Sequence, residues 1–231
     1  MKLSNQTVTI LKNFSEINKG IWIEKGNVLR TFADPGKNIL AEATVKDEFP
    51  VAFGIYDLNS FLGVLSLHKE SPELDFDEHH VLVKGLGGKS KIKYRFTDKE
   101  MIVTKDKKLT MPSVDITLGL EEDDYNWVAN VAKTLQSPHI SVKSDGSTHV
   151  SLMTFDAKND AAHVEQLQIS GEKDCNGTAF DFVFHTADWN KIIAGSYELQ
   201  ISNKGLSHFT HASDQLEYFI GLVTNPTKVE D

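Results

Sequence analysis

The chain has 231 residues, 40% hydrophobic and 25% charged, and 24 Lys and Arg against 33 Asp and Glu give it a net charge of −9. This composition is typical of a globular protein with one large or two smaller domains, and no apolar run approaches the ~20 residues of a membrane span. The acidic balance argues against nucleic-acid binding by bulk charge attraction, because phosphate contacts need clustered Lys and Arg.

The first half begins with a helix and continues as strands joined by short turns. Apolar residues recur at helical spacing over residues 4–18, behind a possible N-cap at Ser4. A second, short helix is predicted at 57–66. Strands are predicted near 20–25, 28–33, 39–45, 49–56, 81–84, 91–96 and 101–104.

The second half has the same order of elements. A strand at 114–119 leads into a long helix at 121–135, whose acidic start, Glu121 to Asp124, complements the positive end of the helix dipole. A short helix is predicted at 187–194. The other strands are predicted near 139–143, 149–156, 163–170, 180–186, 196–202, 206–210 and 217–224.

The two halves therefore indicate a duplicated unit. A long helix followed by a hairpin recurs at an offset of about 118 residues, which is typical of a pseudo-symmetric chain. The polar stretch from Lys105 to Pro112 divides the halves, so we predict domains at 1–108 and 109–231. The first carries 17 Lys and Arg against 15 Asp and Glu, the second 7 against 18. We expect an α+β fold of two similar domains, each with antiparallel sheets and two helices.

No motif in the sequence indicates catalysis, a cofactor or a metal. Gly85 to Ser90 ends in Gly-Lys-Ser, but a phosphate-binding loop needs glycine where Val83 stands, so we predict a hairpin loop. His208 and His211 are expected on opposite faces of a strand, and no histidine spacing matches a zinc site. The single cysteine, Cys175, excludes an intrachain disulfide and fits a reducing cytoplasm. The amino terminus lacks the apolar core of a signal peptide.

The polar faces of the two long helices are more informative. On a helical wheel, Lys12 lies opposite the apolar side of the first helix, near Asn5 and Glu16. In the second long helix, Lys133, Asn126 and Asn130 face away from the core side. Each helix thus exposes Asn and Lys, which is either a solvated face or a surface for a polyanion.

Several segments resemble the DNA polymerase sliding clamps of T-even-like bacteriophages. The similarity covers essentially the whole chain and is most specific from Ile55 to Leu67, a long idiosyncratic segment. Met1 to Ser4 and Leu11 to Phe14 also match, and Val114 to Ile116 and Phe180 to Phe184 match more loosely.

This resemblance implies a DNA clamp fold that assembles as a head-to-tail homotrimeric ring around double-stranded DNA, without catalytic activity. The ring would tether a DNA polymerase after loading by an ATP-driven clamp loader, in the cytoplasm of an infected bacterium, and transcription factors are further expected partners. The long helices would line the hole, with Lys12, Lys133 and Lys191 matching basic positions of the family. Asn5 and Asn130 replace expected basic residues. The alternative is a structural ring-forming protein of a virion that does not tether DNA.

Two contact surfaces are also predicted. By resemblance, the strand near Met101, Ile102 and Val103 would meet a neighbouring subunit's strand that contains Val164, Leu167 and Ile169. A hydrophobic partner peptide would dock on a pocket formed by Met111, Pro112, Phe219 and Leu222. Alternatively, the apolar strand from Tyr218 to Val223 is a core strand with both faces covered.

Overall fold

The fold is seen in a computed structural model of the chain, which describes residues 1–33, 38–68, 72–105, 108–146, 149–159, 165–169, 173–174 and 177–223. The chain divides into two compact units. The first comprises Met1–Gly36 and Leu40–Lys108, and the second comprises Lys37–Ile39 and Leu109–Asp231. Cys175, residues 106–107 of the linker, Val164 and the last eight residues, 224–231, lie outside the described residues.

The described part of the first unit contains two helices and seven strands. In chain order they are α1 (Asn5–Ile17), β1 (Ile21–Ile23), β2 (Gly26–Phe32), β3 (Ile39–Phe49), β4 (Phe53–Ile55), α2 (Leu58–Ser66), β5 (Glu73–Phe76), β6 (His80–Gly85) and β7 (Ser90–Arg95). The strand pairs β1–β4 and β2–β3 and the three-stranded sheet β5-β6-β7 are all antiparallel. The loop between β6 and β7 is a hairpin, as predicted for Gly85 to Ser90.

The start of α1 is fixed by a carboxylate from β3. The Ser4 hydroxyl accepts a hydrogen bond from the Thr7 N–H at 3.2 Å, which is the contact expected of an N-cap. Asp47 accepts three further hydrogen bonds, from the Ser4 N–H (2.7 Å), the Ser4 hydroxyl (2.7 Å) and the Thr7 hydroxyl (2.6 Å). The predicted cap at Ser4 is confirmed, and a residue 43 positions away reinforces it.

The described part of the second unit contains two helices and nine strands. They are β8 (Ile116–Leu120), α3 (Glu122–Leu135), β9 (His139–Asp145), β10 (Ser151–Phe155), β11 (Glu165–Gln168), β12 (Lys173–Asp174), β13 (Ala179–His185), α4 (Thr186–Trp189), β14 (Tyr197–Ser202), β15 (Leu206–His211) and β16 (Leu216–Gly221). One antiparallel sheet has the order β11-β10-β9-β13, and a second contains β12-β8-β14-β15-β16.

An aromatic core joins the two helices of the second unit to its sheets. Trp189 of α4 is fully buried and contacts the rings of Phe184 and Phe209 edge-on, with centroids 5.2 and 5.4 Å away. Tyr125 of α3 stacks on it at 5.9 Å, and the single proton of the Tyr125 hydroxyl is shared between the carbonyls of Ile192 (2.8 Å) and Trp189 (3.1 Å). The short helix therefore holds α3 in place through both packing and hydrogen bonds.

The predicted α+β class is confirmed, and both units follow the order long helix, strands, short helix, strands. Some elements differ from the prediction. The strand expected at 49–56 is interrupted because Pro50 follows β3, and proline cannot donate a ladder hydrogen bond. The helix expected at 187–194 ends at Trp189, after which Lys191 and Ile192 form tighter turns with Asp188 and Trp189. The short strands β5 and β12 were not predicted, because they have too few residues to show an alternating hydrophobic pattern in the sequence.

The strand predicted at 101–104 is wrong. Met101 ends a single 3₁₀ turn (Lys99–Met101), and residues 102–104 pair with no strand among the described residues. Ile102 is 7% exposed because it packs over Gly54, where a Cβ atom would come within 2.8 Å of the Ile102 Cδ1. The side chain of Ile102 therefore serves the core of its own unit rather than a free edge.

None of the helices in the described ranges has the length and apolar character needed to cross a membrane.

Candidate nucleic-acid interface

Helix α1 presents a polar stripe opposite its buried side. Its buried residues are Thr7, Ile10, Leu11, Phe14 and Ile17. Asn5, Lys12 and Glu16 are exposed. These three positions lie on the side that the helical wheel assigns to solvent. The ammonium of Lys12 is therefore available to a partner, with the carboxylate of Glu16 one turn further along the helix.

Helix α3 repeats this arrangement in the second unit. Asp124, Tyr125, Val128 and Ala132 are buried. Lys133 and Asn130 are exposed, whereas Asn126 is half-buried. The Asn130 backbone carbonyl accepts a hydrogen bond from the Thr134 hydroxyl at 2.8 Å. Each long helix thus exposes one lysine and at least one asparagine.

Lys191 differs from Lys12 and Lys133. It lies just after α4, its side chain is only 15% exposed, and its Nζ is 3.4 Å from the carboxylate of the buried Asp188. Because a neighbouring carboxylate neutralises this ammonium, it adds less positive potential than an exposed lysine does. Its proposed contact with DNA stays a prediction.

A groove beside α1 was not predicted from the sequence. A cavity of about 190 Å³ lies between α1 and α2, and Asn5, Lys12, Ser66 and His68 are among the residues that line it. His68 packs against Gly85, where an added Cβ would collide with the imidazole. Neither ring nitrogen of His68 has a hydrogen-bond partner among the described residues. Only the tertiary packing of α2 and β6 brings this histidine beside the Lys12 stripe.

The residues predicted for subunit contacts are exposed to different extents. Met101 is 63% exposed and Val103 is 38% exposed, but Ile102 is buried. On the other predicted strand, Leu167 is half-buried and Ile169 is 2% exposed. A contact through these residues stays a prediction, and Ile102 and Ile169 can take part only through their backbones.

The residues predicted for the peptide pocket also vary. Met111 and Leu222 are half-buried and Pro112 is exposed. Phe219 is 3% exposed and stacks on the imidazole of His208, with ring centroids 4.2 Å apart. His208 in turn bonds the Glu217 carboxylate at 2.7 Å. Phe219 therefore belongs to a packed cluster, and the pocket itself stays a prediction.

The exposed groups suit weak, sequence-independent contacts. Lysine ammonium groups and asparagine amides reach phosphate oxygens, and such contacts position a duplex without reading its sequence. Within the described ranges there is no group of three or more His, Cys, Asp or Glu residues placed to hold a metal ion. The exposed Lys and Asn of the two long helices are therefore the candidate contacts with nucleic acid.

Comparisons with known proteins agree with this interpretation. Residues 2–104 match the family model described as DNA polymerase processivity factor. The sliding clamp of Vibrio phage KVP40 is 36% identical to this chain, and the match covers 95% of this chain and 98% of the phage protein. The sliding clamp of Escherichia phage RB69 is 29% identical, and the match covers 98% of this chain and 99% of that protein. The fold matches proliferating cellular nuclear antigen from Entamoeba histolytica with a TM-score of 0.69 at 12% identity, covering 94% of this chain and 95% of that one.

These similarities favour the clamp interpretation over a structural protein of a virion. The match to the phage proteins extends over nearly the full length of both chains, so it includes both units and both long helices. The chain belongs to the sliding clamp family of T-even-like bacteriophages and is a DNA sliding clamp, a processivity factor of DNA polymerase.

Proposed function

We propose that three copies of this chain close head-to-tail into a ring around double-stranded DNA, with α1 and α3 of every subunit facing the duplex. The observation that carries this proposal is the repeated stripe of exposed Lys and Asn on the two long helices. A ring has to slide, so a few exposed ammonium groups and amides serve it better than a dense basic surface would. The hold on DNA is topological.

The free edges of two sheets support ring closure. In the first unit, β5 is covered because its Leu74 exchanges two backbone hydrogen bonds with Met1. In the second unit, the Val223 N–H donates to the Val183 carbonyl at the outer side of β13. The opposite edges of these sheets, β7 and β11, have no strand beside them in the described part of the chain. An edge of one subunit that pairs with an edge of the next hides both.

We therefore place the subunit contact between β7 and β11 of neighbouring copies. This retains the predicted strand around Leu167 and replaces the segment at 101–104, which forms no strand. Pairing of β7 with β11 extends a three-stranded and a four-stranded sheet into one continuous sheet across the boundary.

The partners follow from the same function. A closed ring cannot thread onto circular DNA, so an ATP-driven clamp loader opens it, and the DNA polymerase is then tethered without any catalytic step by the clamp. Contacts with transcription factors are a further role. The site of action is the cytoplasm of the infected bacterial host.

Retention on circular DNA tests this function. With the cognate loader and ATP, the protein is loaded on a nicked plasmid, isolated by gel filtration in about 0.5 M salt, where direct phosphate contacts are weak, and then treated with a single-cutting nuclease. We expect retention on the circle and release after linearisation. Release before cutting, or retention after it, would exclude a topological hold.

A further inference from the structure

The free edge of β7 carries a row of positive charge. Along this strand Lys91, Lys93 and Arg95 are exposed, and they alternate with the half-buried Ser90, Ile92 and Tyr94. Alternate residues of a strand share one face. The three cations therefore form a line along one face of the edge strand.

These cations are only weakly balanced within their own unit, where Lys93 attracts the Asp77 carboxylate at longer range. The nearby acidic residues of the sheet have other partners, since Asp75 pairs with Lys84 at 3.0 Å and Asp77 pairs with His80 at 2.7 Å. Lys91, Lys93 and Arg95 make no ion pair within 4 Å in the described part of the chain.

The free edge of β11 has the opposite character. Glu165, Gln166 and Gln168 are exposed, Leu167 is half-buried, and the strand carries no cation. It belongs to the half of the chain that has 7 Lys and Arg against 18 Asp and Glu. Glu165 is the one charged residue of β11, and the half of the chain around it is acidic overall.

We infer that the charges on these two edges make subunit pairing head-to-tail. The row on β7 is attracted by β11 and its acidic unit, whereas two β7 edges repel each other, because like charges on adjacent strands are destabilising. Without this selection, an edge strand can pair with its own copy and give a closed dimer in place of a ring. The inference rests on the ring assembly proposed above.

A competing explanation makes the opposite prediction. Lysines on an edge strand can simply prevent pairing with any other strand. Their removal would then strengthen self-association, whereas removal of an attractive row weakens it.

Charge reversal on each edge separates these explanations. The first variant carries Lys91→Glu, Lys93→Glu and Arg95→Glu, and the second carries Glu165→Lys and Gln168→Lys. A control with Lys2→Glu, Lys25→Glu and Lys46→Glu has the same change in net charge as the first variant, at exposed sites away from both edges. Circular dichroism checks that each variant is folded.

Sedimentation velocity over a concentration series gives the outcome. We expect each edge variant to need at least about tenfold more protein than the wild type to assemble, because several exposed ion pairs are replaced by repulsion. The control should assemble like the wild type. The wild type should also dissociate as salt rises from about 0.05 to 0.5 M, since the Debye length, over which charges act on each other, shortens to a few ångströms.

Mixing the two variants is the sharper experiment. The reversed β7 complements the reversed β11, so the mixture regains assembly, but only in alternating order. Closed rings with an odd number of subunits would need a mismatched contact, and the mixture should therefore form heterodimers and even-numbered assemblies. Stronger association of either variant alone, or trimers in the mixture at wild-type concentrations, would overturn the inference. A wild type that stays monomeric at every salt concentration would overturn the proposed ring instead.

Discussion

Asp47 is the residue that most clearly couples a local signal to the tertiary structure. Burial acts to raise the pKa of its carboxyl group, but hydrogen bonds from Thr7 and Ser4 outweigh burial and hold the pKa below its usual value of 3.8. Since the pKa is lower in the folded protein, the stabilisation is complete above pH ~4 and is lost as the pH falls through the folded value.

The first prediction is that Asp47→Asn lowers the free energy of unfolding by about 1–3 kcal/mol at pH 7, because one carboxylate oxygen, Oδ2, accepts all three hydrogen bonds and a neutral amide oxygen accepts them more weakly. At pH ~3 the difference from the wild type should narrow, since the carboxyl group of the unfolded wild type is protonated below its pKa of 3.8 and the stabilisation then falls with pH. Urea unfolding at both pH values measures this. Asp98→Asn is the control, because Asp98 makes no side-chain capping bond. Equal stability of Asp47→Asn and wild type at pH 7 would contradict the cap.

At the scale of elements, the two long helices are expected to act together on DNA. Lys12 and Lys133 are exposed, whereas Lys191 is paired with Asp188. Each phosphate contact contributes about −0.9 to the slope of the logarithm of the DNA-binding constant against the logarithm of the salt concentration. Replacing one lysine therefore changes DNA binding little, whereas replacing two should change it measurably.

The second prediction is that Lys12→Glu with Lys133→Glu impairs loading and processive synthesis while the ring still forms. Compared with that double variant, Lys191→Gln should change DNA contacts less. It should lower the free energy of unfolding more, because it leaves the buried Asp188 without its partner. Primer extension at low and moderate salt measures processivity. Lys25→Glu with Lys204→Glu matches the change in charge at other exposed sites. Wild-type processivity of the double variant at both salt concentrations would rule out a DNA-lining role for these helices.

Strand β16 is apolar on both faces because other residues cover both faces. Tyr218 and Ile220 are fully buried, and Phe219 on the other face is covered by the pair of His208 and Glu217. Leu222 follows the strand and is half-buried. Any contribution of this segment to a peptide pocket is therefore expected mainly from Leu222.

The third prediction separates binding from stability in this segment. Phe219→Ala should lower the free energy of unfolding by about 3–5 kcal/mol, as expected for a buried ring. Leu222→Ala and Met111→Ala should remain folded as rings and weaken binding of the polymerase's carboxy-terminal peptide in a fluorescence titration. Val114→Ala, at an exposed site after the same linker, is the control. Unchanged affinity in Leu222→Ala and Met111→Ala rings would place the pocket elsewhere.

At the scale of the molecule, the two similar units with different net charges determine how copies of the chain can join. Within the described residues, the chain carries free edges in two different units, one on a strand rich in Lys and Arg and one in the acidic half. Such edges join heterologously, and a heterologous contact either closes into a ring or extends into a filament.

The fourth prediction is that light scattering over a concentration series shows a 25.8 kDa monomer giving way to a species of three times that mass. The concentration dependence follows from mass action on a contact made by two short edge strands. Bovine serum albumin at matched concentrations controls for non-ideality. A strict monomer, a dimer or open-ended growth would contradict a closed trimer.

The sequence by itself determined the elements whose signals are local. Helical periodicity and the Ser4 cap identify α1, the acidic start and apolar spacing identify α3, and the recurrence of one element order identifies two similar units. The exposed stripes around Lys12 and Lys133 follow from the same 100° geometry, because the face of a regular helix is fixed by spacing alone.

Only the tertiary structure decided the features that depend on distant residues. Ile102 is in a predicted strand, yet it packs over Gly54 and pairs with no strand among the described residues. The alternation of side chains along a sequence cannot show whether a partner strand is present. Lys191 is counted as exposed by sequence but lies against Asp188. Whether a strand is an edge depends on which neighbours cover it, as Met1 covers β5, and those neighbours are far away in the chain. Edges, buried charges and caps from another strand are long-range properties, so the packing alone fixes them.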